Sequence, residues 1–379
     1  MKIYNITAPC MFGLEAIVKK EVKDLGYEIV GVTDGRVTFQ ADARGICRSN
    51  INLRVAERIL IEVDDFKATT FEQLFDKIKG IAWEEYIPKD GKFWVKKANS
   101  IKSKLFSARD IQSIVKKAIV ERLKEAYNTD VIEETGASYP IRIFIKKDMV
   151  NVTLDTSGDG LHKRGYRKMI AKAPIRETLG AALVLLSPWN KDRILVDPFC
   201  GTGTIPIEAA MIGANIAPGL NREFEAEEWT NIIPKKYWMD AVNEANDAID
   251  HNVQLNIQGF DIDYKVVNVA RDCAQNAYVE DYIHFQDRPL SEFKTKKHYG
   301  VIVTNPPYGE RLEDASTVAT LYKQMGNVFE PLTDWSIFII TSFEEFERHY
   351  GKKATKNRKL YNGMLKSYIY QYLGPRPPH

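Results

Sequence analysis

Leu195-Val196-Asp197-Pro198-Phe199-Cys200-Gly201-Thr202-Gly203-Thr204 is the stretch on which the reading of this 379-residue chain turns. A short apolar run leads straight into a Gly-rich turn, and a helical pattern carrying Ile207, Glu208, Ala209 and Ala210 follows. Open α/β sheets bind ligands at the carboxyl ends of their strands, and glycines there let backbone approach a ligand closely. Neither GxxxxGK[ST] nor a complete GxGxxG is present, so the turn does not read as a phosphate cradle. Asp197 at its entrance would repel a diphosphate. It suits a cationic amino acid, such as the methionine part of S-adenosylmethionine. Asp197, Phe199, Cys200, Gly201, Thr202 and Gly203 are therefore expected to bind that cofactor. A GxG alone serves equally as a tight strand–helix turn in an unrelated α/β protein, so the assignment needs support from elsewhere in the chain.

Outward from this loop, apolar runs at Arg193–Val196, Ile257–Phe260, Ile283–Gln286, Tyr299–Thr304 and Ser336–Thr341 alternate with helical patterns. Such alternation predicts a parallel, doubly wound, Rossmann-like sheet. Gly259-Phe260-Asp261-Ile262-Asp263 ends the second strand, where a carboxylate can accept both ribose hydroxyls of an adenosine. That acid usually follows the glycines by about 20 residues. Here about 60 intervene, and the excess reads as an insertion from Gly213 to about His251, rich in Trp and charged residues. Asp287, ending the third strand, is placed either to meet an adenine amino group or simply to cap the strand.

Val301-Ile302-Val303-Thr304-Asn305-Pro306-Pro307-Tyr308 carries the most chemistry. Two prolines fix φ and remove two backbone donors, which leaves carbonyls in a rigid geometry. The Asn305 side-chain oxygen and the Pro306 carbonyl can then accept two hydrogen bonds from one exocyclic NH₂. An aromatic amine is planar because its lone pair is delocalised into the ring. Paired acceptors draw the nitrogen toward tetrahedral geometry and free the lone pair to attack a methyl group. Tyr308 can stack on the base, an interaction worth roughly 1–3 kcal/mol. Asn305, Pro306 and Tyr308 are thus the catalytic candidates. A strand followed by a Pro-rich turn is common by itself; its pairing with the glycine loop and an intervening acid is not.

The N-terminal half reads differently. Ile3–Thr7, a helix through Leu14, Ile17, Val18 and Leu25 closed by Gly26, and a hairpin turning at Asp34-Gly35 make a small α+β module. A helix-to-strand transition is expected in Asn52–Phe66. Phe93–Val95, Ile141–Ile145 and Met149–Leu154 read as strands. Between them lies an amphipathic helix with Ile111, Ile114, Val115, Ala118, Ile119 and Leu123 on one face and Ser107 with Asp110 at its start. We expect three units: residues 1–65, 66–157 and 158–379.

Composition bounds the function classes. Hydrophobic residues make up 44% and charged residues 27%, the balance of a soluble globular protein. The net charge of +2 does not by itself argue for nucleic acid, so a basic surface must come from local segregation. From Lys92 to Lys124 only Asp110 and Glu121 oppose a run of basic residues, and Phe93, Trp94 and Phe106 interleave. Such a segment suits a phosphate backbone and splayed bases, or else forms a solvated helix face. Within it Lys96, Lys97, Lys102, Lys104 and Arg109 are RNA-binding candidates. Lys163, Arg164 and Arg167 join them from His162-Lys163-Arg164-Gly165-Tyr166-Arg167. The four scattered cysteines form no CxxC pair and no HExxH spacing exists, so no metal is expected. No signal-peptide core and no apolar run of about 20 residues is present, which predicts a cytoplasmic protein without a membrane partner.

Together these motifs resemble the THUMP-containing RNA methyltransferases, and in particular the bacterial 23S rRNA guanine-N2 methyltransferases of the RlmL-like group. The resemblance spans essentially the whole chain. It rests on Asp197–Thr204, Gly259–Asp263, Asn305–Tyr308 with Gly309-Glu310-Arg311, the His162–Arg167 linker and Ala173-Pro174-Ile175-Arg176-Glu177-Thr178-Leu179. It implies a ferredoxin-like module, then an RNA-gripping THUMP domain, then a Rossmann-like methyltransferase domain. It further implies that Asn305 and Tyr308 engage the target guanine, and that Glu177, Thr178, Asp197, Asp261 and Asp287 line the donor pocket. Ile262 and Asn305 belong to the same expected cofactor set. Some relatives carry a second methyltransferase domain after the first; this sequence stops before one, so only the guanine-N2 activity is expected. The expected partner is 23S rRNA or a precursor particle, with tRNA as the alternative. A DNA adenine-N6 methyltransferase would need the same tetrapeptide, and a non-catalytic RNA-binding assembly factor would keep the domains without the chemistry. The basic N-terminal half, which lacks a helix-turn-helix pattern, favours RNA.

Overall fold

Period-two apolar patterning in the first 160 residues builds one continuous sheet. A computed structural model describes residues 2–167, 175–308, 315–362 and 365–378. Ala173, Pro174, Gly309, Glu310 and Arg311, which contribute to the family resemblance, lie outside those residues. The chain opens with β1 (Tyr4–Pro9), α1 (Glu15–Asp24), β2 (Glu28–Thr33), β3 (Arg36–Ala41), α2 (Ala43–Asn52) and β4 (Leu60–Lys67). It continues with α3 (Phe71–Gly80), β5 (Lys92–Ile101), α4 (Ala108–Tyr127), β6 (Ser138–Lys146) and β7 (Met149–Asp155). The helix expected within Asn52–Phe66 lies upstream as α2, where the Asp42 side chain caps it by accepting from Gly45 N at 3.0 Å. Gly26, at φ +88°, follows α1 as expected. These strands form a seven-stranded sheet of order β2-β3-β1-β4-β7-β6-β5. β4 pairs with both β1 and β7, so the expected division near residue 65 falls inside a strand shared by the two sides.

The second half contains α5 (Glu177–Leu186), β8 (Leu195–Asp197), α6 (Thr204–Gly213), α7 (Lys235–Asp247), β9 (Ile257–Asp261), α8 (Tyr264–Asn276) and β10 (Ile283–Asp287). Then follow β11 (Val301–Thr304), α9 (Ala315–Phe329), β12 (Ser336–Thr341), α10 (Phe346–Tyr350), β13 (Lys356–Asn362) and β14 (Leu365–Tyr372). Their sheet runs β10-β9-β8-β11-β12-β14-β13. β8 to β12 are parallel as expected, but β14 enters antiparallel beside β12 and carries β13 on its edge. This antiparallel pair adds to the five expected parallel strands, which keep their expected arrangement. Tyr368-Ile369-Tyr370-Gln371-Tyr372 has the aromatic and β-branched content of a strand, yet the lysine-rich partner β13 hid the hairpin.

Apolar side chains from both halves merge into one core, while Val196, Ile302, Tyr322, Phe346 and their neighbours pack the other face of the parallel sheet. The segment read as an insertion clamps the halves together. Trp229 is fully buried and stacks on Tyr139 of β6 with ring centroids 4.9 Å apart, and its indole N–H donates to Ser138 O at 2.7 Å. Glu244 of α7 meets Arg48 of α2 at 2.6 Å. No helix among the described residues is long and apolar enough to cross a membrane.

Candidate active site

Parallel strands deliver their carboxyl ends to one edge, and the candidate acids arrive there in a row. Asp287 stands opposite Asp261 across β10 and β9, Asp197 opposite Gly259 across β9 and β8, and Val196 opposite Ile302 across β8 and β11. Asn305 leaves β11 from the same edge.

The glycine loop is shaped by its two left-handed residues. Gly203, at φ +80°, has no room for a Cβ, which would meet Phe285 Cζ at 2.9 Å and Ala270 at 3.0 Å. Gly201, at φ +51°, faces open space instead, with nothing within 4 Å of the Cβ position. One glycine thus serves packing and the other clears a surface. Asp261 Oδ2 accepts from Gly201 N at 3.1 Å, and Cys200 N donates to Phe260 O at 2.8 Å, so β9 holds the loop in place. Thr202 Oγ1 is buried and has no hydrogen-bond partner among the described residues. An orphaned hydroxyl beside a cleared backbone fits a bound polar ligand. Ile262 is 79% exposed next to Asp261, an apolar surface available to a flat ring. Phe199 is half-buried, Cys200 is buried, and Asp287 is exposed at its strand end.

Asp197 connects this loop to the tetrapeptide. It is 1% exposed, and its Oδ1 accepts from Thr304 Oγ1 at 2.6 Å and Phe199 N at 3.1 Å. Burial pushes its carboxyl up to about 7, against the pull of those two bonds, with the nearby Asp261 charge adding to the rise. Thr304 immediately precedes Asn305. On the far side, the Tyr322 hydroxyl donates to Pro307 O at 2.9 Å and meets Thr341 Oγ1 at 2.8 Å. Asn-Pro-Pro-Tyr is therefore gripped from β8 on one flank and from α9 and β12 on the other. Asn305 and Tyr308 are half-buried, while Pro306 is buried. Thr304, Tyr322 and Thr341, which hold the tetrapeptide, were not among the expected site residues. Only Thr304 carried a signal, as a polar residue at the buried end of an apolar strand.

Glu177 and Thr178 begin α5 and are 3% and 4% exposed. Burial raises the Glu177 carboxyl above its ordinary range, and the Arg167 guanidinium, 2.8 Å away, pulls it back. Arg167 also donates to Thr204 Oγ1 at the start of α6. It braces the loop's helix and also stands on the wall of the large cleft described below. Arg164, expected to bind RNA, is corrected. It is 2% exposed, pairs with Glu208 at 3.3 Å and donates to Leu161 O and Arg54 O. A phosphate cannot reach a guanidinium so enclosed.

Among the other RNA candidates, Lys97, Lys102, Lys104 and Arg109 are exposed, and Phe106 is 82% exposed beside them. Lys96 is half-buried and donates to Gly158 O at 2.6 Å, while Lys163 pairs with Asp159 at 3.0 Å. Both line a cleft of about 1330 Å³ between the N-terminal sheet and the C-terminal half, with Arg222, Phe224 and Glu177 also on its walls. Among the described residues no cluster of His, Cys, Asp or Glu could hold a metal ion, and the four cysteines are free and buried.

Three family models match the chain in succession: an RlmL ferredoxin-like domain over residues 5–60, a THUMP domain over 68–155, and an RMKL-like methyltransferase domain over 164–371. YpsC of Bacillus subtilis, a protein named as an RNA methyltransferase, is 51% identical over 98% of this chain and 96% of its own length. The ribosomal RNA large subunit methyltransferase K/L of Syntrophotalea carbinolica is 32% identical over 93% of this chain. The match covers 51% of that protein, so the chain spans about half the length of such relatives. The crystal structure of SMU.472, described as a methyltransferase complexed with SAH, superposes with a TM-score of 0.93 at 45% identity and covers 100% of both chains.

Proposed function

The chain belongs to the RMKL-like methyltransferase family, and from that premise we propose that it moves a methyl group from S-adenosylmethionine to the exocyclic N2 of a guanine in RNA, with 23S rRNA the foremost substrate. The observation that carries this reading is the 2.6 Å Thr304–Asp197 hydrogen bond, which ties the donor loop to the tetrapeptide across adjacent strands.

The residues present fit the donor. Gly201 clears space for it, Thr202 Oγ1 is a buried hydroxyl open to a new partner, and Ile262 offers an apolar surface beside the ribose-binding position of Asp261. Asp197, Glu177 and Thr178 border the end that takes its amino-acid part, and Asp287 the adenine end. When bound, the donor supplies an electrophilic methyl on a sulfonium. The chain supplies alignment and polarisation. The Asn305 side-chain oxygen and the Pro306 carbonyl accept hydrogen bonds from the two amine protons and localise the nitrogen lone pair, and Tyr308 stacks on the base. A strong general base is not needed, because the amine proton leaves after the nitrogen has become cationic. Positioning of this kind is worth orders of magnitude when the reacting atoms are held within about 3–3.5 Å.

The THUMP match and the exposed lysines of β5 and its following loop support RNA over DNA as the substrate. The large-subunit names of the K/L relatives support ribosomal RNA over tRNA. A guanine must leave its stack to reach Asn305, at a cost of a few kcal/mol that binding elsewhere has to offset. The test is transfer of labelled methyl from the donor into total RNA and into genomic DNA, with wild type and Asn305→Ala in parallel. Label in RNA that disappears with Asn305→Ala supports the reading. Label only in DNA, or none with the wild type, overturns it.

A further inference from the structure

A further segregation of charge lies at the C-terminal end of the chain. Residues 351–379 hold seven Lys or Arg side chains and no Asp or Glu, in a protein whose net charge is +2. Most of these cations sit on the β13–β14 hairpin. Its register sets Lys359 opposite Tyr368 and Tyr361 opposite Lys366, so lysines and tyrosines alternate in a checkerboard on one face. Lys359 Nζ lies 4.8 Å from the Tyr361 ring centroid, and Lys366 Nζ lies 5.1 Å from that of Tyr368. Tyr361 is 39% exposed. Lys366 pairs with Glu344 at 3.3 Å, but that acid is itself 77% exposed and leaves the lysine open to water.

The tile is anchored and extended by the N-terminal module. Arg358 donates to Gly13 O at 2.8 Å, and Leu360 is buried against the same loop. Phe12, 48% exposed, lies 6.2 Å from Tyr361 between ring centroids. The tile also stands level with the tetrapeptide. Tyr322 bridges Pro307 to Thr341, and Thr341 pairs with Tyr368. From β11 to β13 is three strand spacings, or about 14 Å. A strand whose target base occupies the site at Asn305 would pass over this edge a few nucleotides away.

We propose that Lys359, Tyr361, Lys366 and Tyr368, with Phe12, form a binding surface for single-stranded RNA flanking the target base. Lysines take the phosphates and aromatic faces take unstacked bases, the combination that sequence-tolerant single-strand binding requires. The inference rests on RNA being the substrate and adds a second grip to the one expected from the N-terminal half.

The test measures binding and transfer separately on the full chain. A fluorescein-labelled single-stranded RNA of about 20 mixed-sequence nucleotides, longer than one such site covers, is titrated at several salt concentrations. Expected are about tenfold weaker binding for Tyr361→Ala with near wild-type binding for Tyr361→Phe. Lys359→Ala should give a shallower salt slope, by about 0.7 for each phosphate the variant no longer neutralises. Lys191→Ala, exposed ahead of β8 at the opposite, amino-terminal edge of the parallel strands, should bind as wild type. Equal affinity and slope for Tyr361→Ala, Lys359→Ala and wild type would overturn the proposal. So would displacement of the RNA by polyglutamate at equal charge, which would point to an acidic protein instead. If wild type binds through this tile but transfers no methyl group, the catalytic reading fails and the surface stands.

Discussion

At the scale of single residues, Asp197 makes the sharpest prediction. Its carboxyl is pushed up to about 7 in the folded chain, whereas its ordinary value is 3.8. The folded state therefore holds a proton that the unfolded state has released between those values, and stability falls as pH rises through that window. A cationic donor amine favours the ionised form, so donor binding below about pH 7 should expel a proton and tighten as pH rises toward 7. Calorimetry in two buffers of different ionisation enthalpy checks this. Asp197→Asn should abolish the proton release, and a wild type that releases none would contradict the placement of the amine. The importance of Asp197 was legible in the sequence because an acid before a glycine turn has few other uses. Its bond to Thr304 was not, because it joins residues 107 positions apart in the chain. Arg164 shows the converse failure. His162, Lys163, Arg164 and Arg167 read as a basic patch, and only the fold reveals that Glu208 stands behind one of them.

At the scale of elements, the loop between β8 and α6 separates two glycines that look alike in sequence. Gly203→Ala sets a Cβ against Phe285 at a positive φ, and should cost roughly 2–4 kcal/mol from strain and overpacking together. Gly201→Ala meets no protein atom and should cost only about 1–2 kcal/mol of backbone strain. On the proposed function, that methyl would nevertheless stand where the donor approaches. Thermal unfolding and donor titration of the two variants should separate: Gly203→Ala loses the more stability, and Gly201→Ala loses donor affinity beyond its smaller loss of stability. Equal donor affinity for Gly201→Ala and wild type would move the site elsewhere. The parallel strands were readable because each is a short apolar run followed by helical periodicity. The β13–β14 hairpin was not read, because Lys356, Arg358 and Lys359 mask the alternation of an edge strand, whose outer face water can cover.

At the scale of the whole molecule, the N-terminal sheet and the catalytic half act as one body because buried interactions cross between them. Arg164 binds Glu208 and the Arg54 carbonyl, and Trp229 seats itself on Tyr139. Arg164→Ala would leave buried Glu208 without its hydrogen-bonded cation, with Arg54 left as a nearby cation, and should destabilise the protein by about 3–5 kcal/mol. A urea midpoint shifted accordingly would confirm a structural role, and unchanged stability with weakened RNA binding would restore Arg164 to the RNA-binding set. The module order was legible from motif order along the chain, whereas the clamp at Trp229 was visible only as an unexplained excess of residues between two strands. On the proposed function, catalysis needs these parts in one frame: a donor loop, a braced tetrapeptide and basic surfaces to either side. The most direct measurement supplies isotopically labelled donor to the protein with RNA from cells lacking it, and then resolves the nucleosides by mass spectrometry. Label should appear in N2-methylguanosine with wild type and be absent with Asn305→Ala; label in N6-methyladenosine, or transfer undiminished by Asn305→Ala, would contradict guanine-N2 transfer at Asn305.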